Sequence, residues 1–213
     1  ELDLQVSADG VAMVFHDATL DRMTAACGPV RSRPAAELAA LGLWDTPEQI
    51  ATLSAVLLRV DGRVPLLLEL KDQSGHLSGS DQVLERAVLD CLERYRGLVA
   101  VMSFNPDQIA YFHEWAEYIP RGLATRRFTH GDWPGLPPVT AERLRAIADF
   151  DRVGAQFISH DARDLDNEHV AACKKHDVPI LCWTVRSEAE EALARRVADN
   201  ITFEGYRPAL RPR

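Results

Sequence analysis

Two carboxylates and an imidazole stand close together at the start of this chain. ELDLQV places Glu1 and Asp3 at alternate positions of an apolar strand pattern, and the next apolar run, VAMVFHD, closes on His16 and Asp17. Residues two apart on a strand share a face, and so do residues directly across an antiparallel pair. If Asp9-Gly10 forms a two-residue turn, His16 falls opposite Asp3; a four-residue loop over Ser7–Gly10 puts it opposite Glu1. Either register sends Glu1, Asp3 and His16 to one side. A second charged pair lies in LLLELK, where Leu67, Glu69 and Lys71 share a face and the two charges occupy the C-terminal end. Carboxylates of this kind suit a hard cation, and an imidazole titrating near neutrality suits proton transfer.

Such groups act together only if the strands that carry them end side by side. After the hairpin, apolar runs and helical patterns alternate. Parallel strands are expected at 2–6, 66–71, 98–104, 121–125, 155–159, 178–185 and 201–205, seven in all. The stretch 11–16 is antiparallel, because its connection is too short for a parallel crossover. Leu84, Val88, Cys91, Leu92 and Tyr95 give a helical spacing, and Asn105, Pro106 and Gln108 read as cap, first position and capping box of the next helix. Further helices are expected from about Thr140 to Phe150, after a cap at Asp166, and after Ser187 with Glu190 completing the box.

Alternating β and α units imply right-handed parallel crossovers. Seven parallel strands in one domain over residues 1–213 predict an α/β fold, a (β/α)₈ TIM barrel lacking its N-terminal strand and helix. A doubly wound sheet would carry a glycine-rich phosphate loop after its first strand, and none is present. In a barrel the C-terminal strand ends form the active face. Glu1, Asp3 and Glu69 then converge as an all-oxygen set for Mg²⁺ or Ca²⁺, with Lys71 offering a positive charge to an anionic substrate.

The composition narrows the partners. The chain has 46% hydrophobic and 26% charged residues and a net charge of −8, from 32 acidic and 24 basic side chains. That balance opposes a nucleic-acid partner but does not exclude a phosphate ester, because a metal ion can turn a cluster of acids into an anion-binding site. No apolar run approaches the ~18 residues of a membrane span. Cys27, Cys91, Cys173 and Cys182 show no metal or redox spacing and read as buried free thiols. The expected location is the cytoplasm, with the periplasm or secretion left open by the start of the chain inside a strand.

The same strings resemble the glycerophosphodiester phosphodiesterase family. ELDLQVSADGVAMVFHDATLDRMT is similar to its E-x-D…H-D-x-T-L-D-R-T block, LLLELK to its E-x-K strand, SFNPDQI to its S-F-x-P segment and CWTV to its W-T-V strand. The resemblance implies the barrel fold, one divalent cation on Glu1, Asp3 and Glu69, and His16 as one of two catalytic histidines. It also implies a phosphate contact at Lys71 and a wall beside the glycerol at Trp183. The implied reaction cleaves a glycerophosphodiester to sn-glycerol 3-phosphate and an alcohol. The glycerol 2-hydroxyl attacks to give a cyclic phosphate that water opens, and His16 protonates the departing alkoxide.

The family's H-R-G strand, with the other histidine and a phosphate-binding arginine, is expected before Glu1. Departures occur near the other end: ITFEGYRP stands where I-T-D-x-P is common, and Arg186 follows W-T-V where asparagine is frequent. The rival readings are a lysophospholipase D-like enzyme with an apolar lid, for which FTHGDWPGLPP offers Phe128, Trp133 and Leu136, and a non-catalytic barrel that binds a phosphodiester or a protein. Arg126 and Arg127, beyond a strand end, are expected in a solvated loop, with a phosphate contact as the alternative. The other histidines read as surface or satisfied residues, with His160 the one at a strand end on the active face.

Overall fold

The opening hairpin closes on a loop of odd length. In the computed structural model, strands β1 (Leu2–Val6) and β2 (Ala12–Val14) are antiparallel, with Leu4 opposite Val14 and Val6 opposite Ala12. The Ser7 N–H donates to the Val11 carbonyl at 3.0 Å, leaving Ala8, Asp9 and Gly10 as the loop. Gly10 sits at φ 78°, where a side chain would be strained. The Asp9 carboxylate accepts from the Ser7 hydroxyl at 2.6 Å and from the Ala35 N–H at 2.8 Å, so a distant segment helps fix the loop. Both expected registers are thereby corrected. They needed two or four loop residues, and a one-residue change reverses which side chains share a face.

Residues 1–129, 131 and 133–208 are described; His130 and Asp132 of the FTHGDWPGLPP stretch lie outside them. The chain forms two compact units, Glu1–Pro120 and Arg121 onward. In the first, the strand order is β3-β2-β1-β4-β5, with β3 at Ala51–Thr52, β4 at Leu66–Leu70 and β5 at Val99–Ser103. Strands β1, β4 and β5 are parallel, and Asp3 pairs in register with Glu69. Leu4, Val6, Leu68 and Leu70 are fully buried, so the intervening polar residues are left to the other face.

Helices α1 (Ala35–Leu38), α2 (Leu53–Val60), α3 (Val83–Leu92) and α4 (Pro106–Trp115) complete this unit. Helices α1 and α2 are not among those expected from the sequence. Within α2 the pattern is blurred because Leu58 is 82% exposed while Leu53 and Leu57 are buried. Asn105 caps α4 as expected, accepting the Asp107 N–H at 3.0 Å. Gln108 does not close the capping box; its Oε1 accepts from the Ser103 hydroxyl at 2.7 Å. Met13, Phe15, Leu20, Val30, Ala35, Leu38 and Ile50 form a smaller core under the long connection that follows β2.

The second unit holds four parallel strands in chain order, β6 (Arg121–Thr125), β7 (Phe157–Asp161), β8 (Ile180–Val185) and β9 (Asn200–Phe203). Its helices are α5 (Pro138–Arg145), α6 (Glu168–Lys175) and α7 (Glu188–Ala194). α5 starts and stops earlier than expected. The α6 cap is Asn167, which accepts the His169 N–H at 2.8 Å, rather than Asp166. β7 begins two residues late, which draws His160 and Asp161 into the strand. The seven parallel strands expected from the sequence are all present. Cys182 is buried, but Cys27 is exposed, against expectation. Among the described residues, no helix is long and apolar enough to cross a membrane.

Candidate active site

In the first unit, the in-register pairing of β1 with β4 sets the carboxylates of Asp3 and Glu69 side by side, and Glu1 joins them. One carboxylate oxygen from each lies within 4.8 Å of the others. Lys71 completes the cluster: its Nζ donates to Asp3 at 2.7 Å and to Glu69 at 2.5 Å. Glu69 is 6% exposed. Burial raises its pKa, against the pull of Lys71. Burial lowers the Lys71 pKa, but the Glu69 and Asp3 charges outweigh that and hold it above its ordinary value.

Three carboxylates against one ammonium leave two negative charges over. Glu1 bears the consequence. The surrounding protein, then Asp3 and Glu69, push its pKa from 4.5 to about 7. A hard oxygen donor set of three carboxylates that repel one another fits a divalent cation. The sign of the pH response follows. Folded metal-free protein retains a Glu1 proton that the unfolded chain releases, so stability falls as pH rises from 4.5 to about 7. A cation must displace that proton. Its apparent affinity is therefore expected to weaken as pH drops below about 7, with proton release visible by calorimetry in buffers of different ionisation enthalpy. A pH-independent affinity with no proton released would remove Glu1 from the ligand set.

His16 is brought near by a different route from the one the sequence suggested. β2 ends at Val14, the Phe15 N–H donates to the Asp3 carbonyl at 3.0 Å, and the Phe15 ring enters the smaller core. His16 follows directly, with its side chain 63% exposed and close enough for its charge to act on Glu69. It is not one of the clustered oxygen-donor residues. Its Nδ1 is 2.7 Å from Asp17 Oδ1, and Arg22 binds both oxygens of that carboxylate at 2.7 Å. From the sequence only His16 of this trio is expected to act, although Asp17 and Arg22 both stand in the H-D…D-R string.

In the second unit, Trp183 is half-buried on β8 beside Asp161 of β7, and its indole N–H donates to the Ser159 carbonyl at 2.9 Å. The Arg126 guanidinium lies 5.7 Å from the Trp183 ring centroid and 3.8 Å from the Asp161 carboxylate. Arg126 is therefore not in a solvated loop; its side chain is 18% exposed, since ring and carboxylate both offer a cation a favourable neighbour. Arg127 does remain largely exposed, ion-paired to Asp164. His160 is a satisfied core residue, 1% exposed between Thr125 at 2.8 Å and Asp164 at 3.2 Å. Burial keeps its pKa low despite the Asp164 charge. Phe128 and Leu136 are buried and Trp133 is half-buried, so the described part of this stretch offers no exposed apolar lid.

Residues 1–200 match the glycerophosphoryl diester phosphodiesterase family. The Bacillus subtilis protein YhdW is 30% identical over 201 residues, 90% of this chain and 76% of YhdW. Another B. subtilis protein, named glycerophosphodiester phosphodiesterase, is 24% identical over 212 residues, 89% of this chain and 67% of that protein. Among solved structures, a phosphodiesterase of Oleispira antarctica in complex with the product sn-glycerol-3-phosphate superposes with a TM-score of 0.76 at 22% identity, covering 95% of this chain and 79% of that one. A glycerophosphodiester phosphodiesterase of Thermotoga maritima gives 0.69 at 17% identity, with the same coverage. The fold class is α/β of the TIM-barrel type, shared with these structures. The chain belongs to the glycerophosphoryl diester phosphodiesterase family and is a hydrolase of phosphoric diesters.

Proposed function

We propose that this protein cleaves glycerophosphodiesters to sn-glycerol 3-phosphate and an alcohol, with one divalent cation, Mg²⁺ or Ca²⁺, held by Glu1, Asp3 and Glu69. The observation that carries the reading is a cluster of three carboxylates sharing one lysine ammonium, close to an exposed histidine oriented by a carboxylate. When bound, the ion would supply Lewis-acid stabilisation of charge on the phosphoryl oxygens. Lys71, at the end of the same strand as Glu69, is a phosphate contact. His16 Nε2 gives its proton to the departing alkoxide, the task of a positioned general acid.

Trp183 is assigned to recognition of the glycerol moiety. Its ring presents an apolar wall whose orientation is fixed by the hydrogen bond to Ser159. The test is release of sn-glycerol 3-phosphate from glycerophosphocholine by the full-length protein. Release is expected with added Mg²⁺ or Ca²⁺ and is expected to stop with a chelator. Trp183→Ala is expected to lower kcat/KM on glycerophosphocholine by ~10-fold or more while sparing bis(p-nitrophenyl) phosphate, which has no glycerol to recognise. Turnover unaffected by the chelator would overturn the metal reading. Equal loss on both substrates, with a lower Tm, would make Trp183 a packing residue.

A further inference from the structure

Nothing in the reaction above uses Asp17 or Arg22, yet the two side chains are arranged around the proton donor. Arg22 grips Asp17 in a bidentate manner, Nε on one oxygen and a terminal nitrogen on the other, both at 2.7 Å. Such a fork fixes the plane of a carboxylate as well as its charge. The Arg22 hydrogen bond outweighs the cost of partial burial and holds the Asp17 carboxyl down at about 2. An ionised carboxylate accepts hydrogen bonds and cannot donate. The hydrogen in the 2.7 Å contact between His16 and Asp17 therefore belongs to the imidazole Nδ1.

The main chain of His16 is fixed separately. Its carbonyl accepts from Gln5 Nε2 at 3.2 Å; Gln5 Oε1 accepts from Gln73 Nε2 at 2.9 Å; and Gln73 Nε2 also donates to the Lys71 carbonyl at 2.8 Å. This line of side chains runs from the end of β4 to the residue that carries the imidazole. Backbone and ring of an otherwise exposed histidine are thus both held.

We propose that Asp17, clamped by Arg22, is a positioning residue that fixes His16 with its hydrogen on Nδ1 and leaves Nε2 to carry the transferred proton. This rests on the proton-donor reading of His16. The charged imidazolium gives its Nε2 proton to the alkoxide oxygen as the P–O bond breaks and that oxygen takes the bonding pair. The neutral ring keeps Nδ1–H on Asp17. In that step the glycerol 2-hydroxyl bonds to phosphorus and passes its own proton to a general base, the part that the family resemblance gives to the second histidine. When water opens the cyclic phosphate, that group returns the proton to the 2-oxygen as its P–O bond breaks, and His16 regains its charge by taking on Nε2 a proton from the water, so no proton is created or lost. Without the carboxylate, the neutral ring would favour the opposite tautomer, which has no basic nitrogen at that position.

The experiment compares Asp17→Asn and Arg22→Gln with the parent in the full-length, Mg²⁺-loaded protein, by ¹⁵N NMR of the His16 ring and by kinetics on two substrates. In Asp17→Asn the Nδ1–H signature is expected to be lost. kcat on glycerophosphocholine should fall about 10- to 100-fold, the scale known for losing the carboxylate behind a metal-bound histidine, with KM little changed. A p-nitrophenyl glycerophosphodiester, whose phenolate leaves without a proton, should lose much less. Arg22→Gln should move all readouts the same way by a smaller factor. An unchanged ¹⁵N tautomer pattern, or a lost Nδ1–H with kcat maintained, would overturn the proposal. So would equal loss on both substrates with a lower Tm, since a purely structural role predicts that. His16→Ala at the parent rate would instead overturn the proton-donor reading itself.

Discussion

His16→Ala is expected to lower kcat on glycerophosphocholine by ~10²–10⁴, the usual contribution of a positioned general acid. The structural cost should be small. The side chain is 63% exposed, and the neighbouring anchor is Phe15, which is 6% exposed in the smaller core and does not depend on the imidazole. Tm should therefore stay within about 1 °C of the parent, as for surface substitutions remote from packing. The leaving group decides the role. Choline departs as a strongly basic alkoxide and needs a proton; p-nitrophenolate does not. A loss confined largely to the first substrate identifies the acid. Matching losses on both would show that His16 acts on some other step.

Glu69→Gln is expected to abolish most of the response to divalent metal. In the parent, a cation at about 100 times its Kd adds about 2.7 kcal/mol to the folded state by mass action, or ~5–10 °C in Tm for a chain of this size. The amide keeps the shape and loses the charge, so that shift should disappear together with turnover. The metal-free variant should be no less stable than the parent at neutral pH. Glu69 is 6% exposed with its pKa raised, so its ionised form costs stability in the empty cluster even beside Lys71. A neutral side chain removes that cost. A variant that still gains Tm with Mg²⁺ or Ca²⁺ would exclude Glu69 as a ligand.

Much of both units could be read from the chain because the relevant signals are local. Alternation in ELDLQV put Glu1 and Asp3 together on one side of their strand, LLLELK did the same for Glu69 and Lys71 on theirs, and Asn105 and Ser187 announced the starts of their helices. Each depends on a strand's two-residue period or on a cap a few positions away. The order of seven parallel strands followed from the same patterns.

The tertiary structure decided whatever depends on residues far apart in sequence. The parity of the opening hairpin turned on one loop residue, held by Ser7 and by the Asp9 bond to Ala35, so the route that brings His16 to the acids could not be obtained from alternation. The ordinary expectation for an arginine beyond a strand end is solvent; only the meeting of β6, β7 and β8 supplied Arg126 with a ring and a carboxylate. The charge state of Glu1 is a sum over Asp3, Glu69 and Lys71, with Glu69 and Lys71 contributed by a strand more than sixty positions away. Sequence by itself determined which groups could do the chemistry and on which elements they stand. Their register, charge balance and orientation were set only by the fold, because each is a property of side chains that meet across strands, and Coulomb and hydrogen-bond energies depend on distances that the order of residues does not contain.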